Sequence, residues 1–139
     1  MISVKSIDDP INKLDGRRIL ITRYHPRNKE NGTHINLGSL DVTVWMQELS
    51  PSHNLIQKRK NKEISKQQFI QFFKDELFND YHREKTESCL RTLKSMEFYD
   101  DNVVLLTFPL DIHGPIIKKL VDDFKIAVVL DRSGAVGSI

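Results

Sequence analysis

The apolar positions of this chain come in short runs, and their spacing changes from two to three or four along its length. Residues 2–7 set Ile2, Val4 and Ile7 against Ser3, Lys5 and Ser6, which predicts a short, half-exposed strand. Asp8-Asp9-Pro10 ends it, because proline cannot donate to a ladder and restricts the residue before it. After a turn at Asp15-Gly16, residues 18–24 form a second predicted strand centred on Ile19, Leu20 and Ile21, closed by Pro26. Residues 27–36 are polar around Asn31-Gly32 and read as a mobile loop. Residues 40–49 fit both periods: Leu40, Val42, Val44 and Met46 suit a strand, while Val42, Trp45, Met46 and Leu49 suit a helix face.

Helical spacing then takes over. Ser50-Pro51 has the form of an N-cap followed by proline at the first helical position, starting a short helix through Leu55 and Ile56. Residues 58–62, Lys-Arg-Lys-Asn-Lys, follow as an exposed basic connector. Ser65 and Gln68 have the spacing of a capping box, opening a helix whose stripe is Phe69, Phe72, Phe73 and Leu77. Residues 84–98 predict another helix, with Cys89, Leu90, Leu93 and Met96 inward. Residues 103–108, Val-Val-Leu-Leu-Thr-Phe, form an uninterrupted apolar run, so both faces of that strand must be covered. A polar turn at 111–114 leads to a helix opened by Pro115 and lined by Ile116, Ile117, Leu120, Val121 and Phe124. Residues 126–130 predict a last strand, and 131–139 a loosely ordered tail.

Strands separated by helical patterns predict an α/β fold. The expected domain is a single layered unit over residues 1–130, with a small, mostly parallel sheet flanked by helices. The strand-helix-strand unit over 103–130 should be a right-handed crossover. At 139 residues the chain can bury a core without staples. A formal charge of +2 is too small to point to nucleic acid by itself. Cys89 is the only cysteine, which excludes an internal disulfide and a cysteine-based zinc cage. No apolar leader and no 18-residue apolar run occurs, so neither a signal peptide nor a membrane span is expected, and the cytoplasm is the expected compartment.

The residues able to carry chemistry cluster at two strand ends. Arg23 and Arg27 lie four apart across Pro26, a spacing that can form a fork for phosphate or carboxylate, with His25 between them. If the ends of the second strand and the 103–108 strand lie side by side, these residues face Asp111 and His113. Open α/β sheets place ligands at that carboxyl edge. His113 is the candidate acid/base there; the structural alternative for Arg23 is an ion pair with Asp111 or Asp131. The five histidines show no zinc-pair spacing, and no phosphate-loop, dinucleotide or nucleophile-elbow motif occurs, so no metal and no cofactor is expected. Cys89 falls on a buried stripe with no adjacent base and reads as core.

Several pieces of the chain also match a known pattern. They are Ile2-Ser-Val-Lys-Ser-Ile-Asp-Asp-Pro10, Asp15-Gly-Arg-Arg-Ile-Leu-Ile-Thr-Arg-Tyr-His-Pro-Arg27, Trp45-Met-Gln-Glu-Leu-Ser-Pro-Ser52, the segment from Phe69 onward, and the strand at 103–106. In these the chain resembles the YeaO-like family of small proteins of unknown function, over nearly all of residues 2–130. The Arg-x-x-Pro-Arg element at Arg23, Pro26 and Arg27 is its most specific part. The resemblance implies an α/β fold and a site at Arg23 and Arg27. Part of that family carries Cys-His-Arg after the central strand; Ile112-His113-Gly114 keeps only the histidine, which weakens a catalytic role more than anion binding. The aromatic residue usual before the proline is His25 here.

Three functional readings remain, in order. The first is a module binding a small anionic or phosphorylated ligand through Arg23, His25, Arg27 and Asp111. The second is a hydrolase or transferase using His113 as acid/base, with the arginines stabilising negative charge. The third is an accessory protein, homo-oligomeric or associated with nucleic acid through residues 58–62. That run has no interleaved aromatic residues to stack bases, so nucleic acid ranks last among the partners.

Overall fold

The structure, a computed structural model, describes residues 1–124. In chain order these form β1 (Ile2–Ser6), β2 (Arg17–Leu20), β3 (Val44–Trp45), α1 (His53–Lys60), α2 (Lys66–Phe78), α3 (Arg83–Asp100), β4 (Val103–Thr107) and α4 (Gly114–Asp123), with 3-10 turns at Lys13–Asp15, Leu37–Leu40 and Gln47–Leu49. The sheet order is β1-β4-β2-β3 and every pairing is parallel. Every residue of β4 is buried, as an apolar run with no polar alternation requires. β1 and β2 flank it, with Ile2 opposite Val103 on one side and Arg17 opposite Val103 on the other. The protein is thus a single α/β domain.

Alternation along the strands divides the core into two unequal layers. Val103 and Leu105 of β4, with Ile19 and Ile21, face the helices and pack with Phe69, Phe73, Leu77, Leu90, Leu93, Ile117 and Val121. Phe73, fully buried, contributes roughly 1.5–3 kcal/mol of transfer free energy by itself. Val104, Leu106 and Leu20 face the other way, against Ile7, Leu37, Val42 and Trp45. Apart from Trp45 of β3, that second layer is made of loop and a 3-10 turn. Gly16, between the first 3-10 turn and β2, has φ +71°, and a Cβ there would lie 2.1 Å from the Asn102 carbonyl oxygen. The predicted Asp15-Gly16 turn therefore needs glycine for both conformation and space.

Several local expectations change. β2 is shorter than residues 18–24: the Thr22 carbonyl accepts the Trp45 indole N–H at 2.7 Å, and the Thr22 hydroxyl donates to the Tyr24 carbonyl at 2.8 Å, turning the chain. Residues 40–49 are neither a full strand nor a helix; only Val44 and Trp45 pair, at the sheet edge, between two 3-10 turns. The N-cap of α1 is Ser52, whose hydroxyl oxygen accepts from the Leu55 N–H at 3.1 Å, because Ser50 Oγ donates to Gln47 instead. Lys58, Arg59 and Lys60 belong to the last turn of α1, where cations complement the carbonyl end of the helix, so the basic run is only partly a connector. Phe72 is 42% exposed: the stripe of α2 steps by four through Phe69, Phe73 and Leu77 and leaves it at the margin. The predicted strand at 126–130, its crossover and the tail lie outside the described residues.

The capping box of α2 forms as expected: Ser65 Oγ accepts from the Gln68 N–H at 3.1 Å and Gln68 Oε1 accepts from the Ser65 N–H at 2.8 Å. Ser65→Ala is expected to lower stability by about 1 kcal/mol, read as a lower urea midpoint at unchanged slope. Among the described residues no helix is long and apolar enough to cross a membrane.

Candidate functional site

Because β2 and β4 are parallel neighbours, their carboxyl ends lie side by side, and the segments leaving them carry the predicted site residues. Arg23 leaves β2 and turns toward the segment before α1. Its Nε donates to the Pro51 carbonyl at 2.9 Å and its Nη2 to the Ser50 carbonyl at 3.1 Å. Both acceptors are neutral, and Arg23 has no carboxylate partner among the described residues. The guanidinium is therefore fixed in direction by neutral acceptors and makes no ion pair among the described residues.

His113 is buried. Its Nε2 donates to the Ile21 carbonyl at 2.6 Å, and its ring meets Phe73 edge-to-face at 5.8 Å. A carbonyl only accepts, so Nε2 carries the proton and Nδ1 is the acceptor nitrogen. Burial pushes its pKa down; the Ile21 carbonyl and the Asp111 carboxylate oppose this, while Arg23 adds to it, and the net position is below the ordinary histidine value. Asp111 accepts the Phe108 N–H at 2.9 Å and closes the turn after β4. Any proton transfer by His113 would have to run through Nδ1, since Nε2 is engaged.

His25 and Arg27 belong to a different group of contacts. Arg27 donates to the Gly32 carbonyl at 2.9 Å and pairs by backbone with His34. His25 stacks on His34 at 4.4 Å and meets Trp45 edge-to-face at 5.6 Å. Arg23, Asp111 and His113 are thus neighbours around the ends of β2 and β4, while His25 and Arg27 are organised by the loop after β2.

A cleft of about 570 Å³ opens at this edge, lined by Arg23, Trp45, Gln47, Glu48, Ser50, Ser52, Glu76, Leu77, Asn79, His82 and Lys85. Glu76 accepts from both the N–H and the hydroxyl of Ser52, fixing the end of α2 to the start of α1. Trp45 of β3 and Gln47 and Glu48 of the following 3-10 turn belong to a family-matching piece that carried no site assignment, and Lys85 and His82, at the start of α3, had no motif to mark them; only folding brings them to Arg23. Beside the cleft, Tyr24 hydrogen-bonds to His53 at the start of α1. Cys89 packs against the core, and burial, then Glu48, pushes its pKa up to about 11, which leaves an unreactive thiol. No three His, Cys, Asp or Glu side chains converge among the described residues in a way that would hold a metal ion.

A family model described as the active DUF488-N3 subclade matches residues 2–110. The chain belongs to that subclade. YeaO is itself a DUF488 member, so the family reading drawn from the sequence pieces holds. In this DUF488-N3 domain the match takes in the whole sheet, Arg23 and every residue lining the cleft; it ends before Asp111 and His113. No curated protein and no solved structure matches the chain.

Proposed function

We propose that this DUF488-N3 domain binds a small anionic or phosphorylated ligand in the cleft at the carboxyl edge of its sheet, with Arg23 as the anchoring cation. One observation carries the reading: a guanidinium mounted on two neutral carbonyls, with no carboxylate against it among the described residues, lines an open cleft. Two of its five N–H groups are used by those carbonyls, and the rest suit phosphate or carboxylate oxygens. Lys85 and His82 supply further cationic or donor groups on the same wall. Arg27 and His25, on the adjoining loop, would close on the ligand from the side, and His113 and Asp111 would hold the strand ends that aim Arg23.

The test is a calorimetric titration and thermal-shift series with inorganic phosphate, sulfate and sugar phosphates. A ligand present at one hundred times its Kd stabilises the fold by about 2.7 kcal/mol, which moves the Tm by several degrees. Arg23→Gln is expected to weaken binding by about ten-fold or more, the value of one charge-assisted hydrogen bond. Lys85→Gln and Arg27→Gln, both at exposed positions, should weaken it with little change in Tm. Wild-type protein that neither shifts nor gives heat with any of these anions would refute the reading.

A further inference from the structure

With Arg23 as the anchor of an anion, the size and lining of the cleft narrow the identity of its ligand. We infer that this ligand is a nucleoside monophosphate, its phosphate on Arg23 and its base against Trp45, an inference that rests on the anion site proposed above.

Three observations support this class. First, about 570 Å³ is far more than an isolated oxyanion needs and lies in the range of sites for whole small molecules. Second, the cleft has a rigid aromatic wall. Trp45 is only half-buried; its indole N–H is tied to the Thr22 carbonyl at 2.7 Å, and its ring is braced edge-to-face by His25, which is itself stacked on His34. Those contacts fix the indole before any ligand arrives, and a planar heterocycle stacks on such a surface whatever its exact pattern of donors. Third, the cleft carries both signs of charge. Arg23 and Lys85 line it together with Glu48 and Glu76, and among the described residues no ion pair joins these cations to these carboxylates. Two cations against two carboxylates do not make a channel for a polyanion. They suit a ligand with one phosphate and several hydroxyl or amino donors, for which Glu48, without an ion pair among the described residues, is a ready acceptor. The alternative, that Trp45 serves only to cover the second apolar layer, predicts no preference for a base.

Trp45 is the only tryptophan in the chain, so the wild-type protein reports on its own cleft. The experiment titrates it with adenosine and guanosine 5′-monophosphates, ribose 5-phosphate and inorganic phosphate, following heat and tryptophan emission together. The nucleotides should bind about ten-fold more tightly than ribose 5-phosphate and quench the emission, while ribose 5-phosphate leaves it unchanged. Trp45→Leu should remove that preference and keep the binding of ribose 5-phosphate. If ribose 5-phosphate matches the nucleotides in affinity, the base-stacking inference is overturned and the anion site stands. If no phosphate compound binds, both fall. Because the affinity ratio and the quench are read on unaltered protein, a Trp45→Leu variant that does not fold leaves the test intact.

Discussion

Asp15→Ala is expected to destabilise the domain by about 3–5 kcal/mol, the cost of stranding a buried cation. The cation is Arg18, on the sheet face away from the helices and only 1% exposed. Its Nη1 bonds to the Asp15 carboxylate, its Nε donates to the Leu40 carbonyl at 3.1 Å, and its Nη2 is buried with no hydrogen-bond partner among the described residues. Asp15 also takes Lys5 Nζ at 3.1 Å and the Asn12 N–H at 3.1 Å. Without the carboxylate, Arg18 keeps one neutral acceptor. Arg18→Met in the same background should recover most of the loss, because an apolar side chain of similar length needs no partner. Urea denaturation of the two single variants and the double variant gives the cycle; a double variant no more stable than Asp15→Ala would refute the account.

The same pair sets a pH dependence. Burial works to raise the Asp15 pKa, but the Asn12 N–H, Lys5 and Arg18 overcome it, and the carboxyl sits below its ordinary value of 3.8. A depressed folded value means the unfolded chain binds the proton more readily. The contribution is therefore complete above that ordinary value and is lost as the pH falls through the folded one. Asp15→Ala should lack this component of acid unfolding.

His113→Ala is expected to cost about 3 kcal/mol, from the cavity beside Phe73 and the unsatisfied Ile21 carbonyl together. The pH test has the same sign in a higher window. Burial holds the folded imidazole below its ordinary 6.5, so stability is complete above that pH and declines as the pH falls through the lower folded value. His113→Gln should remove most of that slope. His34, held low by partial desolvation and by Arg27 and His25, titrates in the same window, and His34→Gln separates its share. A stability curve flat between pH 7 and the onset of carboxylate titration would rule out this account of His113.

Much of the fold was legible because its signals are local. The unbroken run at Val103–Thr107 could only be a strand covered on both faces, and Ser65 with Gln68 could only be read as a helix start. Pro115 likewise marks the opening of α4. What failed to show is what depends on distant partners. Nothing around Arg18 distinguishes it from its exposed neighbour Arg17; its carboxylate is the nearby Asp15, but its carbonyl acceptor comes from Leu40, 22 residues further along. Arg23 could be nominated from its spacing to Arg27, but its carbonyl mounts come from Ser50 and Pro51, 27 and 28 residues further along. The cleft draws on the ends of two strands and three helices, so its outline exists only once the layers have assembled.

The position of β4 also constrains the order in which the molecule can be made. β1 and β2 both bond to β4 and not to each other, so the two earliest strands have no mutual ladder to form as they emerge from the ribosome. Each must wait for a segment synthesised after α3 before its main ladder can form. Until then β1 has no ladder and β2 only the two-residue β3, and among the described residues the helices α1, α2 and α3 pack from contacts close in sequence. Assembly of the sheet is therefore a late, long-range event, and the nascent chain is most vulnerable to aggregation just before its central strand arrives.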